Sequence, residues 1–528
     1  MSEPARVVPL APAIPAPLEL TEATTPQKAA RTLRRGLRFH GDISKQLDVI
    51  KGSPDAMVLP GHPVRDLIGR VEKLDLTALR NKHSSLGRKP VDPRFKLQVW
   101  LYASLVGIHY ASEVARLLRT DAAFRLAAGG YELSETSLKE FRLSNGAIFE
   151  DVSRQVLAMG IAEKLVDPQA LAVDSMRLRA DASTAGMRTL ARSEARLEAL
   201  AKVDVVALSE AEAAEHAAKV TKHEEAVARC KAEGRTGHSV TDPQAILMKF
   251  PSGAGLPGHR ITVTSSGSST RFIVSVLVDG DPTDFGKLGP AVMAARNALI
   301  GAGMPVREGA PAMQVAADAG YMAEADLMFA MEQRAAGRID VVLPKATPPT
   351  RVNKQTGEKF FTREDFLFEG DDKVVCPNGL PMTGPYKGPA DSKQWRGQGC
   401  ETCPLKSACT AGKQRTLAIN ERTDLLHKAV ADRLAEPGGK DRYNTRIGTI
   451  EPVFSYIEDA MHFTRASSRR TKTVYAEVLL KAITYNITRL VAAEKRRASL
   501  RVVDLEFIDV PPIPRLVAIW LPSGDPRA

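Results

Sequence analysis

The sequence contains no apolar run approaching the roughly 20 residues a membrane-spanning helix needs, so nothing in it reads as a bilayer anchor. It also lacks the basic-then-apolar order of a secretory leader. Met1 to Ala30 is instead rich in Pro and Ala and carries Glu3 and Glu19, and reads as a disordered leader on a cytoplasmic protein. Cysteine is scarce: five in 528 residues, too few for a disulfide scaffold. Four of the five fall between Cys376 and Cys409, which in a reducing compartment points to metal before disulfide. Acidic residues are outnumbered, 62 to 73 Lys plus Arg, for a net charge of +11. That balance suits a polyanion such as nucleic acid without requiring one.

The length allows two or three domains. Residues 1–55 read as the leader followed by a basic arm with Arg31, Arg34, Arg35, Arg38 and Lys45. Residues 56–160 read as helical: Phe95 to Val106 is strongly apolar, and Val114, Leu117 and Leu118 keep helical spacing. A short helix near Ser137 to Leu143 has a candidate capping box, Ser137 to Glu140. With Arg116, Arg119, Lys139 and Arg142, these helices suit either a helix-turn-helix-like DNA reader or a plain bundle. Between 165 and 345 the character changes. Ala170 to Val173 is a short apolar run ending in Asp174, as expected of a buried strand. Ser193 to Lys231, rich in Ala, Glu and Lys, predicts helices inserted at about 186–240. Strands at Arg260 to Thr264 and Phe272 to Val278 follow, joined through Gly267. Next come a helix over 285–300, a strand at Gln314 to Ala317 ending in Asp318, a helix near 323–333, and a strand at 339–343. The fold class is therefore α/β, a mixed sheet with flanking helices preceded by an all-α region. Residues 346–432 form a Cys-rich insertion, 433–495 return to the helical pattern, and 496–528 are a tail.

Two strands ending in aspartate invite a chemical reading, because sheets of this kind place ligands at strand ends. Phosphoryl transfer on DNA can use two divalent ions held by carboxylates from separate elements, and magnesium favours hard oxygen ligands. A third carboxylate would come from a later helix. Glu451 is the candidate, because Pro452 suits the first turn of a helix and would put Glu451 at its start. Each acid alone reads more readily as a cap or a surface charge. Asp181, Asp279, Asp284 and Glu324 are rivals in the same region, Asp181 foremost. The cysteines read C-x23-C-x2-C-x5-C over Cys376, Cys400, Cys403 and Cys409, a set able to close a tetrahedral zinc site or to remain reduced thiols. No thioredoxin-like strand–helix context surrounds Cys400 and Cys403, which argues against redox catalysis.

The sequence around these acids resembles the DDE transposases of bacterial insertion sequences, in the group with an RNase H-like catalytic core. Ala172-Val173-Asp174-Ser175 with Arg177-Leu178-Arg179-Ala180 is similar to that group's first strand. Ala317-Asp318-Ala319-Gly320-Tyr321 resembles its second motif. Tyr443, Arg446 and Glu451-Pro452-Val453-Phe454 resemble its third. Glu477, Leu480, Asn486, Arg489 and Leu490 are similar to its closing helix. Asp92-Pro93-Arg94, Arg119-Thr120-Asp121, Ala127-Ala128-Gly129-Gly130 and Phe141-Arg142 resemble the helical region before the core. The similarity runs from about Leu59 to Leu490. It implies a transposase that cleaves and joins DNA with Asp174, Asp318 and Glu451 as the catalytic triad holding two Mg²⁺ ions. It also implies phosphate contacts from Tyr443, Arg446, Arg177, Arg469, Arg470 and Lys472, a structural Zn²⁺ on the four cysteines, and a homodimer when two DNA ends are bridged. The expected setting is the bacterial cytoplasm, with nucleoid association when DNA is bound. One position departs from the pattern: many relatives have a lysine where this chain has Glu458, leaving Arg465, Arg469, Arg470 and Lys472 to compensate.

Overall fold

The computed structural model describes residues 40–46, 53–84, 89–205, 208–232, 234–304, 313–345, 352–354, 356–370, 372–389 and 392–506. The Pro/Ala-rich leader, Arg31, Arg34, Arg35 and Arg38 of the basic arm, and the tail beyond 506 lie outside them.

Eight helices come first: α1 (Pro54–Met57), α2 (Pro63–Val71), α3 (Thr77–Arg80), α4 (Pro93–Leu105), α5 (Ala111–Thr120), α6 (Ala122–Ala127), α7 (Glu135–Ser144) and α8 (Gly146–Ala162). Several begin at prolines that need no donor in the first turn, with Asp92 and Asp121 capping α4 and α6. The cap of α7 is Ser134, whose hydroxyl accepts from the Ser137 amide at 3.2 Å, rather than the expected Ser137. Ser134 has the extended backbone that an N-cap requires, whereas Ser137 is already helical. Arg142, a base available to a DNA reader or to a plain bundle, is buried. It lies over the Trp100 ring and donates to His109 O and Ser467 Oγ, both at 2.9 Å. Arg116 and Arg119 remain exposed.

The sheet begins with β1 (Leu171–Arg179). An excursion follows: β2 (Met187–Thr189), the helices α9 (Leu190–Leu200) and α10 (Glu210–Ala232), and β3 (Gly237–Ser239), which pairs back on β2. Then come β4 (Ile246–Lys249), β5 (Gly255–Ser266), β6 (Phe272–Asp279), α11 (Leu288–Gly301), β7 (Met313–Ala317), α12 (Glu324–Ala335) and β8 (Ile339–Val342). The order is β4-β5-β1-β7-β8, with β6 beside the second half of β5. β1, β5 and β6 form an antiparallel meander, while β7 and β8 add in parallel on the other side of β1. This mixed α/β sheet with flanking helices is the architecture of an RNase H-like core. The short β4 was not anticipated, because four residues give too little alternation to see.

A smaller layer follows: β9 (Leu367–Glu369), β10 (Lys373–Val375), β11 (Thr383–Lys387), β12 (Lys393–Arg396), α13 (Lys406–Cys409) and β13 (Thr416–Ile419). It has its own core of Phe366, Val374, Met382, Trp395, Leu417 and Ile419. The chain then returns through α14 (Glu421–Ala435), α15 (Gly439–Ser455) and α16 (Thr471–Glu506).

α16 ties the first helices to the sheet. Asn486 accepts from Ile273 N at 2.9 Å and donates to Ile273 O at 2.8 Å, satisfying the edge strand β6. On the other side Thr484 donates to Leu101 O, and Lys481 donates to Ser104 Oγ. One apolar core runs from Val64 of α2 through the sheet to Leu490. Among the described residues, no helix is long and apolar enough to cross a membrane.

Candidate active site

β1 and β7 pair in parallel until Val173 meets Ala317. The next residue on each strand is an aspartate, so Asp174 and Asp318 emerge side by side. Asp174 is not at the end of its own strand as expected, since β1 continues to Arg179 against β5. It does lie just beyond the part that pairs with β7. Asp318 closes a tight turn, its Oδ1 accepting from Gly320 N at 2.9 Å. Asp174 Oδ1 accepts from Ser175 N at 2.7 Å and its Oδ2 from Arg446 Nη1 at 2.8 Å.

Burial is the main force on Asp174 and pushes its carboxyl up to about 6. The neighbouring Asp318 charge pushes the same way, against the Ser175 amide and Arg446. Tyr321 is fully buried, and its hydroxyl, beside that of Ser175, makes no hydrogen bond of ordinary length to the described residues. Burial and then the charges of Asp174 and Asp318 raise its titration. A carboxyl whose ionisation is disfavoured by the charge beside it, next to a buried hydroxyl of this kind, fits a hard divalent cation carrying water. Among the described residues, however, no three His, Cys, Asp or Glu side chains already form a metal shell.

Glu451 is the residue not gathered. It lies near the end of α15 rather than at its start, because Pro452 sits inside the helix. A proline there leaves the carbonyl four residues back without its donor, and that carbonyl, Gly448 O, accepts from Arg271 Nε at 2.9 Å. The replacement donor lets the helix run through the proline, which the local sequence could not reveal. α15 is seated on the sheet by this bond, by Ser265 Oγ donating to Thr449 O at 2.7 Å, and by Arg446 on Asp174. Glu451 projects about 140° around the axis from Arg446 at the α-helical repeat. It is exposed and, among the described residues, makes no hydrogen bond or ion pair. The following residues, Tyr456–Ala460, form a π-turn containing the exposed Glu458. Partial desolvation and then the Asp459 charge raise the Glu458 carboxyl.

The rival acids separate cleanly. Asp181 is bound by Arg465 and Arg469 at 3.1 and 3.0 Å, so it anchors basic side chains. Asp279 faces Lys287 at 3.6 Å and Glu324 pairs with Arg422 at 2.9 Å. Asp284, between β6 and α11, reaches the aspartate pair: Ser175 Oγ donates to its Oδ1 at 2.5 Å, and the buried Arg260 binds the same oxygen. Little in the sequence separates Asp284 from its neighbours, because no apolar strand delivers it.

The basic residues lie at two distances from this centre. Arg446 touches Asp174, and its guanidinium lies 5.9 Å from the half-buried Tyr443 ring. Arg177 is exposed three residues along β1, about 10 Å away at the strand rise. Beyond it, Arg179 N donates to Thr464 O and Ala466 N to Arg179 O, so segment 464–470 runs alongside the end of β1. Arg469, Arg470 and Lys472 are exposed there. Glu477 holds this loop by accepting from Ser467 and Ser468.

In the smaller layer all four cysteines are free thiols. Cys376 and Cys409 pack against its core. Burial raises the Cys409 thiol first. Cys400, Cys376 and Cys403 raise it further against Arg415, so all three lie within electrostatic reach of Cys409.

Residues 375–491 match the family model described as Transposase DDE domain. The matched segment starts in the cysteine layer and takes in α15 and most of α16. No curated protein matches the chain, and no solved structure does.

Proposed function

We propose that this chain, which carries a match to the transposase DDE domain over 375–491, is a DNA transposase that cleaves and joins strands at the ends of its element. The observation behind the proposal is the pair Asp174 and Asp318, brought side by side on adjacent parallel strands of an RNase H-like sheet. With Glu451 as third ligand, they would hold two Mg²⁺ ions. Such ions activate a water or a 3′-hydroxyl and stabilise the leaving oxygen of an in-line displacement.

The protein's own groups have distinct tasks in this reading. Asp174 and Asp318 supply the negative charge, and the raised carboxyl of Asp174 must ionise before it can serve as a ligand. Arg446 neutralises Asp174 in the resting protein and, as a planar fork, is suited to transfer onto a DNA phosphate. α15 then turns so that Glu451 joins the two aspartates. Tyr443, Arg177, Arg469, Arg470 and Lys472 take the flanking phosphates. Joining two ends requires both in one complex, so a homodimer on DNA is part of the proposal. The cysteine layer holds a structural Zn²⁺ through Cys376, Cys400, Cys403 and Cys409, which suits a subdomain with a six-residue core.

Glu458 and the exposed Glu451 favour one alternative, a relative that binds DNA without cutting it. A strand-transfer assay separates the readings. Purified protein is mixed with Mg²⁺, duplex DNA from the borders of its own gene, and a supercoiled target. Joined products support the transposase. Cleavage without joining indicates a hydrolytic nuclease. Binding without either reaction indicates the non-catalytic relative.

A further inference from the structure

The loop 280–287 between β6 and α11 brings a carboxylate to the aspartate pair and fixes its orientation. Asp326 accepts from Gly286 N at 2.7 Å and Leu288 N at 3.0 Å, and Asp281 accepts from Thr283 N at 3.1 Å. Lys287 spans Asp279 and Asp281. Asp284 is thereby held with its two oxygens in different surroundings. Oδ1 takes the Ser175 hydroxyl and the buried Arg260 guanidinium, which itself donates to Ser175 Oγ at 3.2 Å. Oδ2 faces Asp318: a Cβ built on Gly320 would lie 3.0 Å from Asp284 Oδ2 and 3.0 Å from Asp318 Oδ1. Two carboxylate oxygens thus converge on one small volume, which stays open because residue 320 is glycine.

Tyr321 gives an independent indication that this volume holds a ligand. Its side chain is fully buried, its hydroxyl makes no hydrogen bond of ordinary length to the described residues, and it lies beside the Ser175 hydroxyl within electrostatic reach of Asp174, Asp318 and Arg260. A buried donor left unpaired has lost its water without a replacement partner. Such a loss is removed when a water in a cation's shell accepts from it.

We propose that Asp284 is a fourth carboxylate of this centre, presenting Oδ2 with Asp174 and Asp318 to a divalent cation in the absence of DNA. Arg260 and Ser175 fix its other oxygen. The proposal rests on the metal-holding role given above to Asp174 and Asp318. It assigns the DNA-free cation site to three aspartates that draw together on the ion, since among the described residues they do not already form a shell, leaving Glu451 to join when DNA is bound.

The test is Mn²⁺ binding to the full chain without DNA, read from the loss of the free-ion electron paramagnetic resonance signal. Asp284→Asn should weaken binding at least tenfold, Asp174→Asn and Asp318→Asn more, and Glu451→Gln less than threefold. Because Arg260 needs a counter-charge, Asp284→Glu is included. It keeps the charge and the fold while displacing the carboxylate by one methylene, and should also weaken binding several-fold. Folded Asp284→Asn or Asp284→Glu protein binding Mn²⁺ as the wild type does would overturn the fourth-ligand assignment alone. Wild-type protein that takes up no Mn²⁺, or Asp174→Asn that binds it normally, would overturn the underlying reading as well.

Discussion

Removing the guanidinium of Arg446 should change how Asp174 titrates. The two groups meet at 2.8 Å with side-chain exposures of 11% and 19%. Coulomb's law at that distance, with an effective dielectric near 20, gives a gross attraction of roughly 6 kcal/mol. Stripping one partner from a buried pair costs about 3–5 kcal/mol when the remaining charge is forced to persist. Asp174 has an escape, because it can take up a proton instead. Its carboxyl already stands at about 6 in the folded protein, above the ordinary aspartate value near 3.9. A folded value raised in this way contributes stability that is full below the unfolded value and is lost as pH climbs through the folded one. Arg446→Gln should raise the folded value further, by about 1–2 pH units, and extend that loss to higher pH. At pH 5, where Asp174 is mostly protonated in both proteins, the substitution should cost little. At pH 8 it should cost about 1.3–2.3 kcal/mol, slightly less than the full free-energy equivalent of that shift because the raised group is still titrating there. Urea unfolding of the metal-free proteins at the two pH values measures the difference. In an Asp174→Asn background the pH-dependent part should fall to within about 0.5 kcal/mol of zero. A cost that is equal at both pH values, or that survives in that background, would refute the coupling.

Three further outcomes are expected. Mn²⁺ affinity should fall about tenfold per pH unit below pH 6, because Asp174 must lose a proton to act as a ligand; calorimetric titration at pH 5 and 7 measures it, and a flat profile excludes Asp174. The isolated protein should carry one zinc per chain by elemental analysis, and Cys403→Ser should reduce that content and open the layer around Trp395 to proteolysis; a zinc-free wild type that keeps this layer protected counts against the metal. Glu458→Lys reverses a charge on the exposed π-turn, so DNA binding should tighten several-fold and the salt dependence should steepen by about one unit of slope. An unchanged slope would show that DNA does not pass this turn.

The sheet was legible in the sequence because its buried strands are short apolar runs bounded by turn residues, and because two of them run directly into Asp174 and Asp318. What escaped depended on contacts distant in sequence. Pro452 signalled a helix start, yet Arg271, on a different element, supplies the donor that lets α15 continue through it. Arg142 suited either a DNA-reading helix or a plain bundle, and Trp100, His109 and Ser467 enclose it. Asp181 outranked Asp284 among the spare acids, and only the fold shows Asp181 occupied by arginines and Asp284 turned toward Asp318. Lys481 offered no local signal at all. Burial pushes its ammonium down to about 7, while it bridges Ser104 and His109 from α16.

The measurement that bears most directly on the central claim is Mg²⁺-dependent cleavage of the gene-border DNA by the wild type, Asp174→Asn and Asp318→Asn, with DNA affinity measured on the same preparations. Each carboxamide should lower cleavage by at least about a hundredfold, as expected for removal of a metal-holding charge, while DNA affinity stays within about threefold. Cleavage at the wild-type rate by either folded variant would contradict the account.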